Sequence, residues 1–126
     1  MKVLQVIDQA FRTTTEEQDD TILWLTRSMR GAGGDLRVLL GGHGTYYAAR
    51  LPRQPVLTLG DWVQTEPADI TADLQALLDS GVPVHVIRED FEERGLSAEQ
   101  LLPGVQPVAR GELAALYESV DQVWQW

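Results

Sequence analysis

Apolar residues along this chain gather into short, nearly continuous runs separated by stretches in which they recur at helical spacing. Val3 to Ile7, Leu36 to Leu40, and Val82, Val84, Val86 and Ile87 are runs of the first kind, the pattern of strands buried on both faces of a parallel sheet. Pro83 stands near the start of the third run, where a missing N–H does least harm. Between the first two runs, Thr15-Glu16-Glu17-Gln18 has capping-box form and opens a helix whose apolar side is Ile22, Leu25 and Met29. Gly31, Gly33 and Gly34 end it. A second helix is predicted from about residue 67 to 79, with Pro67 in its first turn and Ile70, Leu74, Leu77 and Leu78 on one face, stopped by Gly81.

Three further stretches complete the pattern. Gly41-Gly42-His43-Gly44 leads into a short helical stretch from Thr45 to Arg50, and Val56 to Leu59 reads either as a brief strand or as an extended connector. Ser97-Ala98-Glu99-Gln100 is another capping box opening a short helix, followed by a turn at Pro103-Gly104-Val105. A last helix over about 111–118 turns Leu113, Leu116 and Tyr117 inward, and 120–126 closes the chain as a strand. Strands alternating with helices imply right-handed crossovers. The fold class expected is α/β: one three-layer α/β/α domain over 1–126 with a mostly parallel sheet and no repeat or linker.

Composition narrows the function classes. At 126 residues, 44% hydrophobic and 23% charged, the chain is an ordinary globular domain, and no apolar run nears the roughly 20 residues of a membrane span. The run after Met1 is too short for a signal peptide and reads as a first strand, which points to a cytoplasmic address. A net charge of −9 opposes direct binding to nucleic acid, which depends on lysines and arginines displacing counterions. The absence of cysteine excludes disulfides, thiolate metal sites and a covalently held persulfide. With two histidines and no His-Glu-x-x-His spacing, no metal site is expected, and no cofactor is implied.

Ligands of open parallel sheets meet the carboxyl ends of the strands, so two segments are candidates. Gly41 to Tyr47, with Gly42, His43, Tyr46 and Tyr47, is either a plain tight turn or a pocket wall that lets an anion approach the backbone; it lacks the endings of phosphate-binding loops. His43 has no visible partner for acid-base work, and no catalytic residue is assigned. Arg88 to Arg94, with Arg88, Glu89 and Arg94, is either solvated charge on a short helical turn or a binding surface. His85 is read as a core or interface imidazole with a satisfied hydrogen bond. Trp124 and Trp126, at alternate strand positions and therefore on one face, are core residues or anchors of a subunit interface.

The stretch from Leu74 to Leu96, the final Asp121-Gln122-Val123-Trp124-Gln125-Trp126 strand and the order of elements resemble the DsrE/DsrF/DsrH-like proteins, which include the Tus sulfur-relay subunits of tRNA thiolation. In carriers of that family a cysteine ends the strand before a charged turn and an Arg-Gly-Leu/Ile motif. Arg94-Gly95-Leu96 matches the motif, and the cysteine position falls on Ile87. The resemblance is to the non-carrier DsrH/TusB type in this turn, and to the DsrE or DsrF type in the N-terminal half. It implies a non-catalytic subunit that oligomerises with itself or with cysteine-bearing relatives and supports intracellular sulfur relay, sulfur oxidation or tRNA thiolation through protein contacts. The alternative is a small-molecule or anion-binding protein, an enzyme among the options, built on Gly41–Tyr47 beside the Arg88–Arg94 turn.

Overall fold

A computed structural model describes residues 1–12, 14 and 19–126. Its centre is a five-stranded, wholly parallel sheet of β1 (Lys2–Ile7), β2 (Asp35–Leu40), β5 (Val84–Ile87), β6 (Gln106–Val108) and β7 (Gln122–Gln125), in the order β6-β5-β2-β1-β7. The chain steps outward from β1 through β2 and β5 to β6, then returns across the sheet to place β7 beside β1. Right-handed crossovers put helices of the outward steps on one face and that of the return step on the other. The helices obey this: α1 (Thr21–Gly31) and α2 (Ile70–Asp79) send Leu23, Ile70, Leu74 and Leu77 into the core on one face, while α4 (Leu113–Glu118) lays Leu113 and Leu116 against Leu4, Val6, Leu39 and Ile87 on the other. Mixed α/β layering with a parallel sheet is thus as the apolar runs indicate.

Local chemistry sets the ends of the helices. Asp20 caps α1, its Oδ1 accepting the N–H groups of Ile22 at 2.9 Å and Leu23 at 3.1 Å. The Thr15–Gln18 capping box lies outside the described residues. Leu23 and Thr26 are the buried residues of α1, with Ile22, Leu25 and Met29 half-buried beside them. The inward line is therefore one residue further round the helix than the apolar spacing implies; Thr26 is tolerated there because its hydroxyl donates to the Ile22 carbonyl at 2.7 Å. Asp69 caps α2 through the Ala72 N–H, so Pro67 precedes the helix instead of occupying its first turn. The Ser97–Gln100 capping box forms, with the Gln100 amide oxygen accepting the Ser97 N–H at 2.9 Å.

Four features differ from the sequence pattern. Thr58–Leu59 (β3) and Trp62–Val63 (β4) form a small antiparallel hairpin apart from the main sheet, where an undecided strand or connector was expected. Gln106–Val108 is an edge strand that its length and Pro107 concealed; proline is tolerated there because the outer edge needs no N–H. Tyr117 points to solvent instead of inward, since α4 has only six residues and its sheet contacts come from Leu113 and Leu116. The helical stretch after Gly41 is a 3-10 helix from Gly42 to Ala48.

Candidate functional site

On the α4 side, the carboxyl ends of β1, β2 and β5 meet. Alternation along β1 places Asp8 on the same face as Leu4 and Val6, directly beside Gly41 at the end of β2 and Ile87 at the end of β5. A Cβ added to Gly41 would lie 2.9 Å from Asp8 Oδ1, 3.0 Å from Ile87 Cδ1 and 3.7 Å from Asp90 Oδ2. A side chain there would have to displace the tips of the Asp8 and Ile87 side chains. Two carboxylates and one aliphatic side chain thus converge on a single backbone position.

Both carboxylates are held. The Gln125 amide donates to Asp8 Oδ2 at 2.5 Å, and the Asp8 carbonyl accepts the His43 N–H at 3.1 Å. Asp90 lies in α3 (Arg88–Glu93), the helix that β5 leads into; its Oδ2 accepts the Gly42 N–H at 2.9 Å and its Oδ1 pairs with the Arg110 guanidinium. Burial alone would raise the Asp90 carboxyl, but the Gly42 N–H and the Arg110 charge outweigh it and hold it below the usual carboxylate range. Glu89 accepts the Arg110 backbone N–H at 2.6 Å, so the β6–α4 connection is tied to α3 twice. Arg94 closes α3 by donating to the Asp90 carbonyl at 2.9 Å.

The site therefore consists of acceptors around an apolar plug. Ile87 is 8% exposed and packs with Leu4, Val6 and Leu39. A thiol in such surroundings would be opposed as an anion by burial first and by the flanking carboxylates second, against which the N-terminus of α3, a helix of only six residues that position 87 caps, offers a small counterweight. Among the described residues, no group of three or more His, Cys, Asp or Glu side chains is placed to hold a metal ion.

The remaining expected residues are dispersed. Gly42 meets the Arg88–Arg94 turn through Asp90, so these two segments do adjoin. His43 is exposed and Tyr46 half-buried. Tyr47 is fully buried on the α1 side, donating to Asp20 Oδ2 at 2.6 Å and accepting the Phe11 N–H at 2.6 Å; burial and the Asp20 carboxylate push its phenol well above the ordinary range. Arg88 lies exposed beside Glu89 at 3.5 Å, a contact of little energetic weight. Trp124 lies on β7, the edge strand, and Trp126 directly follows it; they are half-buried and 42% exposed respectively. His85 is half-buried on the α4 face, and burial together with the Arg37 charge lowers its imidazole below the usual value. Asp8, Arg110 and Gln125 carry no pairing signal in the sequence; only their places at or just beyond strand ends mark them.

The comparisons with known proteins agree with the fold. A family model described as "DsrE/DsrF-like family" matches residues 1–125. A search of curated proteins gives no match. Among solved structures, the ychN protein from E. coli superposes with a TM-score of 0.72 at 24% identity, covering 99% of this chain and 98% of that one. A protein of unknown function from Methanobacterium thermoautotrophicum, MTH1491, superposes with a TM-score of 0.63 at 17% identity and the same coverage of each chain. At these identities the likeness is one of fold.

Proposed function

The chain belongs to the DsrE/DsrF-like family, and from that premise we propose that it is a non-catalytic oligomeric subunit that supports sulfur relay through protein contacts without carrying sulfur itself. The observation that carries the reading is the residue at the strand end to which the resemblance assigns the carriers' cysteine: Ile87, buried, aliphatic and flanked by Asp8 and Asp90. Persulfide transfer needs a thiolate, and the chain has no cysteine to supply one. Beyond the missing atom, the surroundings are those that would suppress a thiolate. What remains for this subunit is to present surface to a cysteine-bearing relative that serves sulfur oxidation or tRNA thiolation.

Surface suited to that role exists on the β3–β4 hairpin, where Leu59, Trp62 and Val63 are 63%, 51% and 53% exposed. Exposed apolar groups clustered in this way commonly mark protein contacts. The test is to purify the chain alone and together with a cysteine-bearing DsrE-family protein from the same cell, and to weigh both by size-exclusion chromatography with light scattering. An oligomer, alone or mixed, is expected at micromolar concentration. A monomer that ignores its relative would end the proposal.

A further inference from the structure

A cavity of about 240 Å³ opens on the opposite face from the Ile87 site, lined by Ile7, Gln9, Arg12, Asp20, Thr21, Ile22 and Trp126. It lies outside the carboxyl ends of β1 and β7, where the strand order reverses. In open parallel sheets that is where ligands bind. The geometry points to a binding site for a small aromatic carboxylate, independent of the sulfur-relay reading.

Four observations converge on this chemistry. Asp20 lines the cavity with its acceptors occupied, Oδ1 by the Ile22 and Leu23 N–H groups and Oδ2 by the Tyr47 hydroxyl, so its role is in the fold, and its remaining charge confines an acid group to the Arg12 side of the cavity. The Arg12 guanidinium, by contrast, has no ion-pair partner among the described residues. A guanidinium fork matches one carboxylate bidentately. The backbone presenting Arg12 is held in place: Phe11 adopts φ 59°, costly for a bulky residue, and is fixed there by its N–H to Tyr47 Oη and by an edge-to-face ring contact at 5.3 Å.

The other wall is flat and apolar. The Trp126 indole is oriented by its Nε1–H donating to Gln5 Oε1 at 2.7 Å, and Ile7 and Ile22 complete an apolar lining. Gln5 is itself fully buried, and its Nε2 has no partner among the described residues, an unusual cost for a β1 side chain that serves only to pack. Its amide adjoins the cavity wall through that bond to Trp126. The volume falls just under the roughly 300–1,000 Å³ of pockets for drug-sized ligands, which limits the occupant to about a single ring with its acid group. A polyanion is disfavoured, because a chain of net charge −9 offers it one cation here.

The experiment uses the intact protein, followed by amide and indole N–H chemical shifts during titration with benzoate, benzamide and inorganic phosphate, each to about 5 mM, the range in which a weak site first appears. Benzoate is expected to give saturable shifts at Arg12, Ile22 and the Trp126 indole N–H, with benzamide and phosphate at least tenfold weaker. Arg12→Gln, an exposed position that leaves the fold intact, should weaken benzoate at least tenfold, whereas Arg53→Gln should not change it. Absence of saturation by benzoate, equal affinity in Arg12→Gln, or phosphate binding as tightly as benzoate would each overturn the assignment.

Discussion

At the scale of single residues, the positions that decide this molecule are those where the backbone of one strand end presses on another. Gly41 and Gly44 both face β1, but what they face differs. A Cβ at Gly44 would stand 2.1 Å from the Ile7 carbonyl oxygen, an atom of a central strand that cannot withdraw, whereas at Gly41 the nearest obstacle is the tip of the Asp8 side chain at 2.9 Å. Gly44→Ala should therefore cost more than about 3 kcal/mol, and Gly41→Ala about 1–3 kcal/mol. Urea unfolding of the two variants checks the order, and a milder Gly44→Ala would contradict it. At Ile87 the same closeness has a chemical outcome. Ile87→Cys should carry a thiol that titrates above the ordinary value of about 8.5, because burial and the two neighbouring carboxylates oppose the thiolate while Arg110 is already engaged by Asp90. The pH dependence of alkylation reads this directly, and a midpoint below 7.5 would mean that the site still favours a sulfur anion.

Asp90 makes two polar contacts that join whole elements, to the 3-10 helix at Gly42 and to the β6–α4 connection at Arg110. Its carboxyl is held below the usual range, so the folded state binds that proton less tightly than the unfolded chain. The resulting stabilisation is fully present above the unfolded carboxylate pKa of about 3.9 and is lost as pH falls through the lower folded value. Asp90→Asn should cost about 1–2 kcal/mol at pH 7, with the gap to the unaltered protein closing as pH drops below about 4. Denaturation curves at pH 7 and pH 3 test it; a gap independent of pH would place the loss in packing instead. The elements that could be read from sequence are those whose apolar pattern is long. β1, β2 and β5 are legible because both faces of each are covered, and α2 because Ile70, Leu74 and Leu77 recur at helical spacing over two turns. β6 and the hairpin are too short for periodicity to accumulate, and Tyr117 depends on how far a six-residue helix reaches over the sheet. The convergence of Asp8, Gly41, Ile87 and Asp90 is a product of strand order, which no local pattern encodes.

For the molecule as a whole, the sheet and its two helical layers account for the buried core, and the β3–β4 hairpin stands outside it. Among the described residues its backbone pairing is with the hairpin itself and its immediate flank, where Gln64 and Leu57 bond to each other, and Val56, Leu59, Trp62 and Val63 are all at least half exposed. An isolated two-stranded hairpin is marginal in water, and its side chains contribute little to the stability of the domain. Replacing Leu59 and Trp62 together by serine should therefore shift the unfolding free energy of the chain by no more than about 0.5 kcal/mol. If the hairpin is the surface by which this subunit assembles, the same double variant should raise the concentration at which oligomers form at least tenfold, since large apolar anchors dominate contact energies. Light scattering across a dilution series, alongside urea unfolding of the same samples, separates the two effects. Lost stability with unchanged assembly would return these residues to the domain's own packing and send the search for the contact surface to the thinly covered α4 face.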